Sequence, residues 1–210
     1  MTDGPVQKIS LAPGLIYIPC YLGRDEQAEL LQNIRAILQA APLFQPVMPK
    51  TGTPFSVRMS NCGPLGWLSD RAGYRYEPRH PGTGLPWPGM PEIVRRAWRD
   101  LGDYAGEAEA CLINYYGPEA RMGLHQDRDE ADFSAPVVSL SLGDSCLFRF
   151  GGAARRGPTQ SLILHSGDAM VLGGPARLAF HGVDRIFGGS SSLLPEGGRF
   201  NLTLRRVSDI

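Results

Sequence analysis

Lysine is almost missing from this chain. Of 21 basic residues only Lys8 and Lys50 are lysine, and 21 acidic residues cancel the whole set. A net charge of zero excludes a partner held by bulk charge, such as a duplex gripped by a strongly basic protein, but leaves room for a local patch. The arginine excess fits either planar contacts with carboxylates and phosphates or plain compositional bias. Cysteine is sparse as well: Cys20, Cys62, Cys111 and Cys146 are scattered with no CxxC pair, which argues against a disulfide framework or a ribbon-type zinc site and for reduced thiols. No apolar run is long enough to span a bilayer, and MTDGPVQKIS carries no apolar core of a secretion signal. No membrane association is therefore expected, and the cytoplasm is the expected compartment. Internal repeats and low-complexity tracts are absent, and 210 residues make one domain; nothing suggests an obligate oligomer, so a monomer is expected.

What is present changes character along the chain. RDEQAELLQNIRAILQA (24–40) places Ala28, Leu31, Ile34 and Leu38 on one helical face, with Leu30 and Ile37 beside it. MPEIVRRAWRDLGDYAG, from Met90, reads as a second helix with Pro91 in its first turn. Between them, SVRMSNCGPLGWLSDRAGYRYEPRHPGTGLPWPGMP is rich in Gly, Pro, Arg and aromatics and has little periodicity after Met59. Long irregular segments in compact domains are usually functional or disordered, and the aromatics argue against disorder. After Glu109 the chain breaks into short apolar or alternating runs: ACLINYY, PVVSLSLG, CLFRFGG, SLILHSGDAMVLGG, RLAFHGV and RFNLTLRRV. These predict helices first and then an antiparallel double sheet of sandwich or jelly-roll type. The expected division is an N-terminal extension with a helix over 1–50, a distinct segment over 51–90 and a β core over 109–207.

His125 and Asp127 stand two apart in LHQDRDE, so in extended backbone they point to one side. Such a pair is either a metal corner or a surface hydrogen bond. His181, at the end of the apolar run RLAFHG, adds a third group. Two His and one carboxylate can cap one face of an Fe(II) octahedron and leave three positions open. His80, in the irregular Arg/Pro segment, and His165, before a Ser-Gly-Asp turn, could each be a plain surface residue. In RFNLTLR, Arg199, Asn201, Thr203 and Arg205 alternate with Phe200, Leu202 and Leu204. Their polar face is either solvated or a ladder of donors inside a barrel, with the two Arg roughly 20 Å apart at about 3.3 Å per residue. Asn114 and Tyr116 share one face of ACLINYY, just upstream of His125.

Taken together, ACLINYYGPEARMGLHQDRDE, LHSGDAMVLGGPARLAFHGV and RFNLTLR, with NCGPLGWLSDRAGYRYEP and LPWPGMP before them, resemble the AlkB family of Fe(II)/2-oxoglutarate-dependent dioxygenases, and its bacterial DNA-repair branch in particular. The resemblance runs from about Thr51 onward. It implies a mostly β fold with flanking α-helices: a double-stranded β-helix (jelly roll) core carrying an N-terminal helical and nucleotide-recognition lid extension. It implies oxidative dealkylation of bases such as 1-methyladenine and 3-methylcytosine in DNA, with RNA left open. Fe(II), 2-oxoglutarate and molecular oxygen would be consumed or bound, and formaldehyde, succinate and carbon dioxide released. By the same resemblance His125, Asp127 and His181 hold the iron. Arg199, Asn114 and Tyr116 take the far carboxylate of 2-oxoglutarate, and Asn201 and Arg205 support its other end. Trp67, Tyr74 and Tyr76 lie near the target base, Asp129 near its edge, and Arg155 on the substrate. Alkylated nucleic acid, single-stranded DNA first, is the implied partner. His165-Ser166 departs from the family pattern of an acidic residue followed by His, outside the triad.

Chemistry gives that substrate a rationale. A methyl on N1 of adenine or N3 of cytosine lies inside a duplex, so the base must be single-stranded or flipped out. Arg58, Arg71, Arg75 and Arg79 are candidates for phosphate contacts. The competing readings are an oxygenase acting on a protein, lipid or small molecule, and a non-catalytic jelly-roll binding module.

Overall fold

In the computed structural model, residues 7–209 are described; the first six residues of the stretch read above for a secretion signal, and Ile210, lie outside them. The order of elements is β1 (Ile9–Ala12), β2 (Leu15–Ile18), α1 (Arg24–Ala40), β3 (Arg58–Cys62), β4 (Gly66–Asp70), β5 (Gly73–Glu77), α2 (Glu92–Leu101), β6 (Ala110–Tyr116), β7 (Met122–His125), β8 (Val137–Gly143), β9 (Ser145–Gly151), β10 (Thr159–Leu164), β11 (Ala169–Leu172), β12 (His181–Phe187) and β13 (Arg199–Arg205). A short 3-10 turn, Gly174–Ala176, separates β11 from β12.

Seven strands form a major sheet in the order β1-β2-β11-β8-β13-β6-β3, and four form a minor sheet in the order β10-β9-β12-β7. Every paired strand runs antiparallel. The two sheets face each other as a jelly roll. Alternation in β13 divides its residues between two environments. Phe200, Leu202 and Leu204 join Ile113, Val138, Leu140, Leu142 and Val171 in a core shared with the helices. Arg199, Asn201, Thr203 and Arg205 face the space between the sheets.

The helices cover the outer face of the major sheet. In α1 the buried residues are Leu30, Leu31, Ile34 and Ile37, while Ala28 is exposed and Leu38 only half-buried. The apolar stripe is thus rotated from the expected face, because the larger Leu30 and Ile37 take the core and the small Ala28 has little to bury. Burying one such aliphatic side chain stabilises by about 1.5–3 kcal/mol. The Glu26 carboxylate accepts the Gly23 N–H at 2.8 Å and satisfies one of the free donors at the helix start. In α2, Ile93, Val94, Ala97, Trp98 and Leu101 recur at helical spacing and are all buried. Pro91 is the capping residue just before the first turn rather than within it.

The expectation of helices before strands needs correcting, since β1 and β2 precede α1 and β2 hydrogen-bonds to β11. Four-residue strands are too short to show alternation. The segment read as irregular contains β3, which pairs with β6 in the major sheet, and the separate hairpin β4–β5. His181 opens β12 instead of ending a strand, and the preceding RLAF is turn and coil. His80 is buried rather than superficial: its Nδ1 accepts the Gly82 and Thr83 N–H groups, so its Nε2 donates to the Pro42 carbonyl at 2.8 Å. It ties the loop after β5 to the segment after α1. Among the described residues, no helix is long and apolar enough to cross a membrane.

Candidate active site

The jelly roll encloses an open-mouthed cavity of about 910 Å³ between its sheets. His125 is the last residue of β7 and His181 the first of β12; the two face each other in register across that strand pair. Asp127 lies just beyond β7 in coil. The candidate ligand atoms of all three lie within 4.8 Å of one another. His125 Nε2 is 3.8 Å from one Asp127 oxygen, and His181 Nε2 is 3.9 Å from the other. Each imidazole turns Nδ1 to a backbone carbonyl, Gly123 and Ala179 respectively, both at 3.0 Å. Those contacts place the ring proton on Nδ1 and leave the Nε2 lone pairs pointing at the common centre.

Electrostatics favour the ionised form of Asp127 and the neutral form of His181. Burial alone would raise the Asp127 pKa, but the Arg205 guanidinium, then the His181 and His125 rings, outweigh it and hold the carboxyl well below its usual range. Burial pulls His181 down to about 4, helped by His125 and opposed by Asp127. A carboxylate and neutral imidazoles are the forms that ligate a divalent cation, and a two-nitrogen, one-oxygen set suits Fe(II).

On one side of this centre lies a buried donor array. Arg199 is 1% exposed; it donates to the Ser141 hydroxyl at 2.6 Å and the Asp144 carbonyl at 3.2 Å, yet its Nε has no partner. Asn114 Oδ1 is likewise buried without a partner, and a half-turn of that amide would present its NH₂ instead. A buried donor left unpaired costs about 1–3 kcal/mol, so this end of the cavity is built to receive an acceptor. Asn201 donates to the Ser139 hydroxyl at 2.7 Å and accepts from Thr203, which fixes its amide. Arg205 joins the centre directly, with Nη2 at 2.9 Å from Asp127.

The mouth is aromatic and mixed in charge. Trp67 on β4 stacks on Tyr74 of β5, with centroids 5.6 Å apart and planes 17° from parallel. The pair sits diagonally across the hairpin, because Trp67 is opposite Tyr76 in register. The Trp67 indole N–H donates to Asp129 at 2.8 Å. Lys50, Arg121, Arg128 and Arg155 also line the cavity, are exposed, and form no ion pair among the described residues.

Twelve of the residues singled out from the sequence line this cavity: Trp67, Tyr74, Asn114, Tyr116, His125, Asp127, Asp129, Arg155, His181, Arg199, Asn201 and Arg205. Tyr76 does not line it; its hydroxyl reaches Glu130 and lies 3.4 Å from Arg205 Nη1. The arginines suggested for phosphate contact are elsewhere. Arg75 is locked between Asp70 and Glu77, Arg79 donates to the Gly84 carbonyl, and Arg58 lies over the Tyr115 ring. Two buried residues beside the centre were missed, Glu130 and Arg177, which form an ion pair at 2.9 Å. Glu130 stands in the quoted HQDRDE run, but nothing in its spacing separates it from a surface acid.

A profile of the 2OG-Fe(II) oxygenase superfamily matches residues 14–205. The chain is 53% identical over 199 residues to an alpha-ketoglutarate-dependent dioxygenase AlkB homolog of Caulobacter vibrioides, which covers 95% of this chain and 90% of that one. It is 44% identical over 222 residues to the DNA N(6)-methyladenine demethylase ALKBH1D of Arabidopsis thaliana, covering 93% of this chain and 50% of that one. The solved structure of OsALKBH1 superposes with a TM-score of 0.79 at 27% identity, covering 95% of this chain and 100% of the other.

Proposed function

The chain belongs to the 2OG-Fe(II) oxygenase superfamily, and from that we propose that it removes alkyl groups oxidatively from N-alkylated nucleic-acid bases such as 1-methyladenine and 3-methylcytosine. It is an Fe(II)/2-oxoglutarate-dependent dioxygenase. The observation that carries the substrate reading is the Trp67–Asp129 pair, an aromatic face and a carboxylate held together at the mouth of the cavity containing His125, Asp127 and His181. The demethylase name of the Arabidopsis relative supports the same class.

In this reading His125 and His181 bind iron through Nε2 and Asp127 through its carboxylate. Iron with 2-oxoglutarate and oxygen supplies the oxidation that releases an N-methyl group as formaldehyde, alongside succinate and carbon dioxide. Arg199, whose Nε lacks a partner, takes the far carboxylate of 2-oxoglutarate, with Asn114 and Tyr116 beside it. Asn201 and Arg205 support the end nearer the iron. Charge-assisted bonds of this kind are about twice as strong as neutral ones, and burial strengthens them further. The β4–β5 hairpin serves as a lid: Trp67 and Tyr74 offer ring faces, and base–aromatic stacking contributes about 1–3 kcal/mol per base. Asp129 faces the positive charge that methylation at N1 or N3 creates. Tyr76 supports the lid from behind through Glu130. Arg155, with Lys50, Arg121 and Arg128, meets the phosphates.

A reacting atom inside this cavity is out of reach of a paired base, so single-stranded DNA or a flipped base is the preferred substrate. We assign the protein to the cytoplasm as a monomer. The test is incubation with Fe(II), 2-oxoglutarate and a single-stranded oligonucleotide carrying 1-methyladenine, read by mass spectrometry with Asp127→Ala alongside. Loss of one methylene by the wild type alone is expected. An unchanged oligonucleotide with succinate still forming would redirect the search to protein, lipid or small-molecule substrates.

A further inference from the structure

Asp127, Asp129 and Glu130 all sit in coil between β7 and β8, where no ladder of backbone hydrogen bonds fixes them. One side chain reaches the whole length of that loop. Arg177, 2% exposed, follows the 3-10 turn after β11. Its Nη1 donates to the Asp127 carbonyl at 2.7 Å, its Nη2 to the Glu130 carboxylate at 2.9 Å, and its Nε to the Ala135 carbonyl at 2.8 Å. The loop is therefore held at its start, middle and end by a single planar fork.

Arg177 stands four residues before His181, so the same fork ties the segment bearing one imidazole to the segment bearing the carboxylate. A second tie runs in parallel, from Gln126 Nε2 to the Leu178 carbonyl at 2.6 Å. Resting on the metal-site reading above, we propose that Arg177 is a positioning residue for the metal centre: it sets the distance between Asp127 and His181 and releases Arg205 to serve Asp127. Glu130 lies 2.9 Å from Arg177 but also 3.5 Å from Arg205 Nε. With Arg177 in place, two buried carboxylates meet two buried guanidinia. Without it, both carboxylates compete for Arg205.

Positioning and simple charge balance predict opposite signs. Removing a buried positive charge beside a cation site should tighten metal binding if Arg177 only balances charge. If it positions Asp127, removing it should weaken metal binding, and loss of a residue that orients a ligand typically costs 10–100-fold in metal affinity. Arg177→Lys keeps the charge but replaces a three-way fork with a point donor. The double variant Arg177→Met/Glu130→Gln removes both charges and keeps the cluster neutral.

The measurement is a Co(II) titration of the metal-free protein, followed by its visible absorption bands, with a thermal melt of each variant. Wild type binding one Co(II) establishes the site; if it does not bind, the metal-site reading fails before Arg177 is tested. Given wild-type binding, we expect Arg177→Lys to bind Co(II) at least tenfold more weakly, with altered band intensities and a retained cooperative melt. Wild-type affinity and spectrum in Arg177→Lys would overturn the proposal, as would tighter binding. If Arg177→Lys does not fold, the double variant decides in the same way: weaker binding supports the role, and unchanged binding sinks it.

Discussion

The Trp67 indole N–H and the Asp129 carboxylate are joined at 2.8 Å across the cavity mouth, so the β4–β5 hairpin and the loop that carries Asp127 share a hydrogen bond there. Asp129 thus has two tasks on the proposed reading: it aligns Trp67 and attracts a cationic base. Asp129→Asn keeps a hydrogen-bond acceptor and loses the charge. We expect KM for a 1-methyladenine oligonucleotide to rise roughly fivefold, the worth of about 1 kcal/mol for an exposed charge pair. KM for a neutral lesion such as 1-methylguanine should stay put. Steady-state kinetics on both oligonucleotides would show it, and equal effects on the two would refute the charge role.

Removing the carboxylate at the centre should be far more damaging. Asp127 is contacted by Arg205 and flanked by both imidazoles. Mn(II) is expected to raise the melting temperature of the wild type, and Asp127→Ala to eliminate that rise and abolish succinate formation. A retained Mn(II)-dependent rise would show that the cation binds elsewhere.

Arg199→Lys tests the donor array. Lysine keeps the charge but lacks the unpartnered Nε and the planar fork. The KM for 2-oxoglutarate should rise roughly 10–100-fold, as expected from about 1.5–3 kcal/mol for a charged hydrogen bond, with kcat for the nucleic acid little changed at saturating 2-oxoglutarate.

His181 in the metal-free protein should titrate near pH 4, because burial and His125 disfavour its charged form. The unfolded chain takes the same proton near pH 6.5. Between those values the unfolded state binds more protons, so this group lowers stability as pH falls from about 6.5 toward 4. Imidazole NMR of the metal-free protein would measure it directly, and a midpoint near 6.5 would contradict the buried, neutral assignment.

Salt dependence separates the arginines. Arg75 is held by Asp70 and Glu77, whereas Arg128 lines the cavity and is exposed. Arg128→Gln should lower the slope of log affinity against log salt for single-stranded DNA by about 0.7, the value of one phosphate contact. Arg75→Gln should leave that slope alone.

Much of this was legible where periodicity and spacing are strong. The runs ACLINYY and RFNLTLR coincide with β6 and β13, the first a short apolar run bounded by turn residues and the second seven alternating residues that show two faces. The His125–Asp127–His181 cluster was readable because two members stand two apart in the chain, on one side of an extended backbone, and the third lies at the edge of an apolar run. Arg177 and Glu130 were not readable. They lie 47 residues apart, and a buried ion pair looks in sequence like two surface charges. The pairing of Arg75 was hidden for a related reason: proximity to Trp67 in the chain says nothing about whether Asp70 and Glu77 have already claimed its guanidinium.

On the proposed reading, the Trp67–Tyr74 stack gives base entry the character of an exchange. Tyr74, 46% exposed, already covers a face of Trp67, so an incoming ring that takes that face must displace a tyrosine before it gains the tryptophan. The net gain is the difference between two stacking energies rather than the whole of one. An ordinary base, whose ring differs little from a lesion's in area, profits little from such a trade. Discrimination then falls to the charge that alkylation adds, and undamaged strands can pass through the mouth without lodging there.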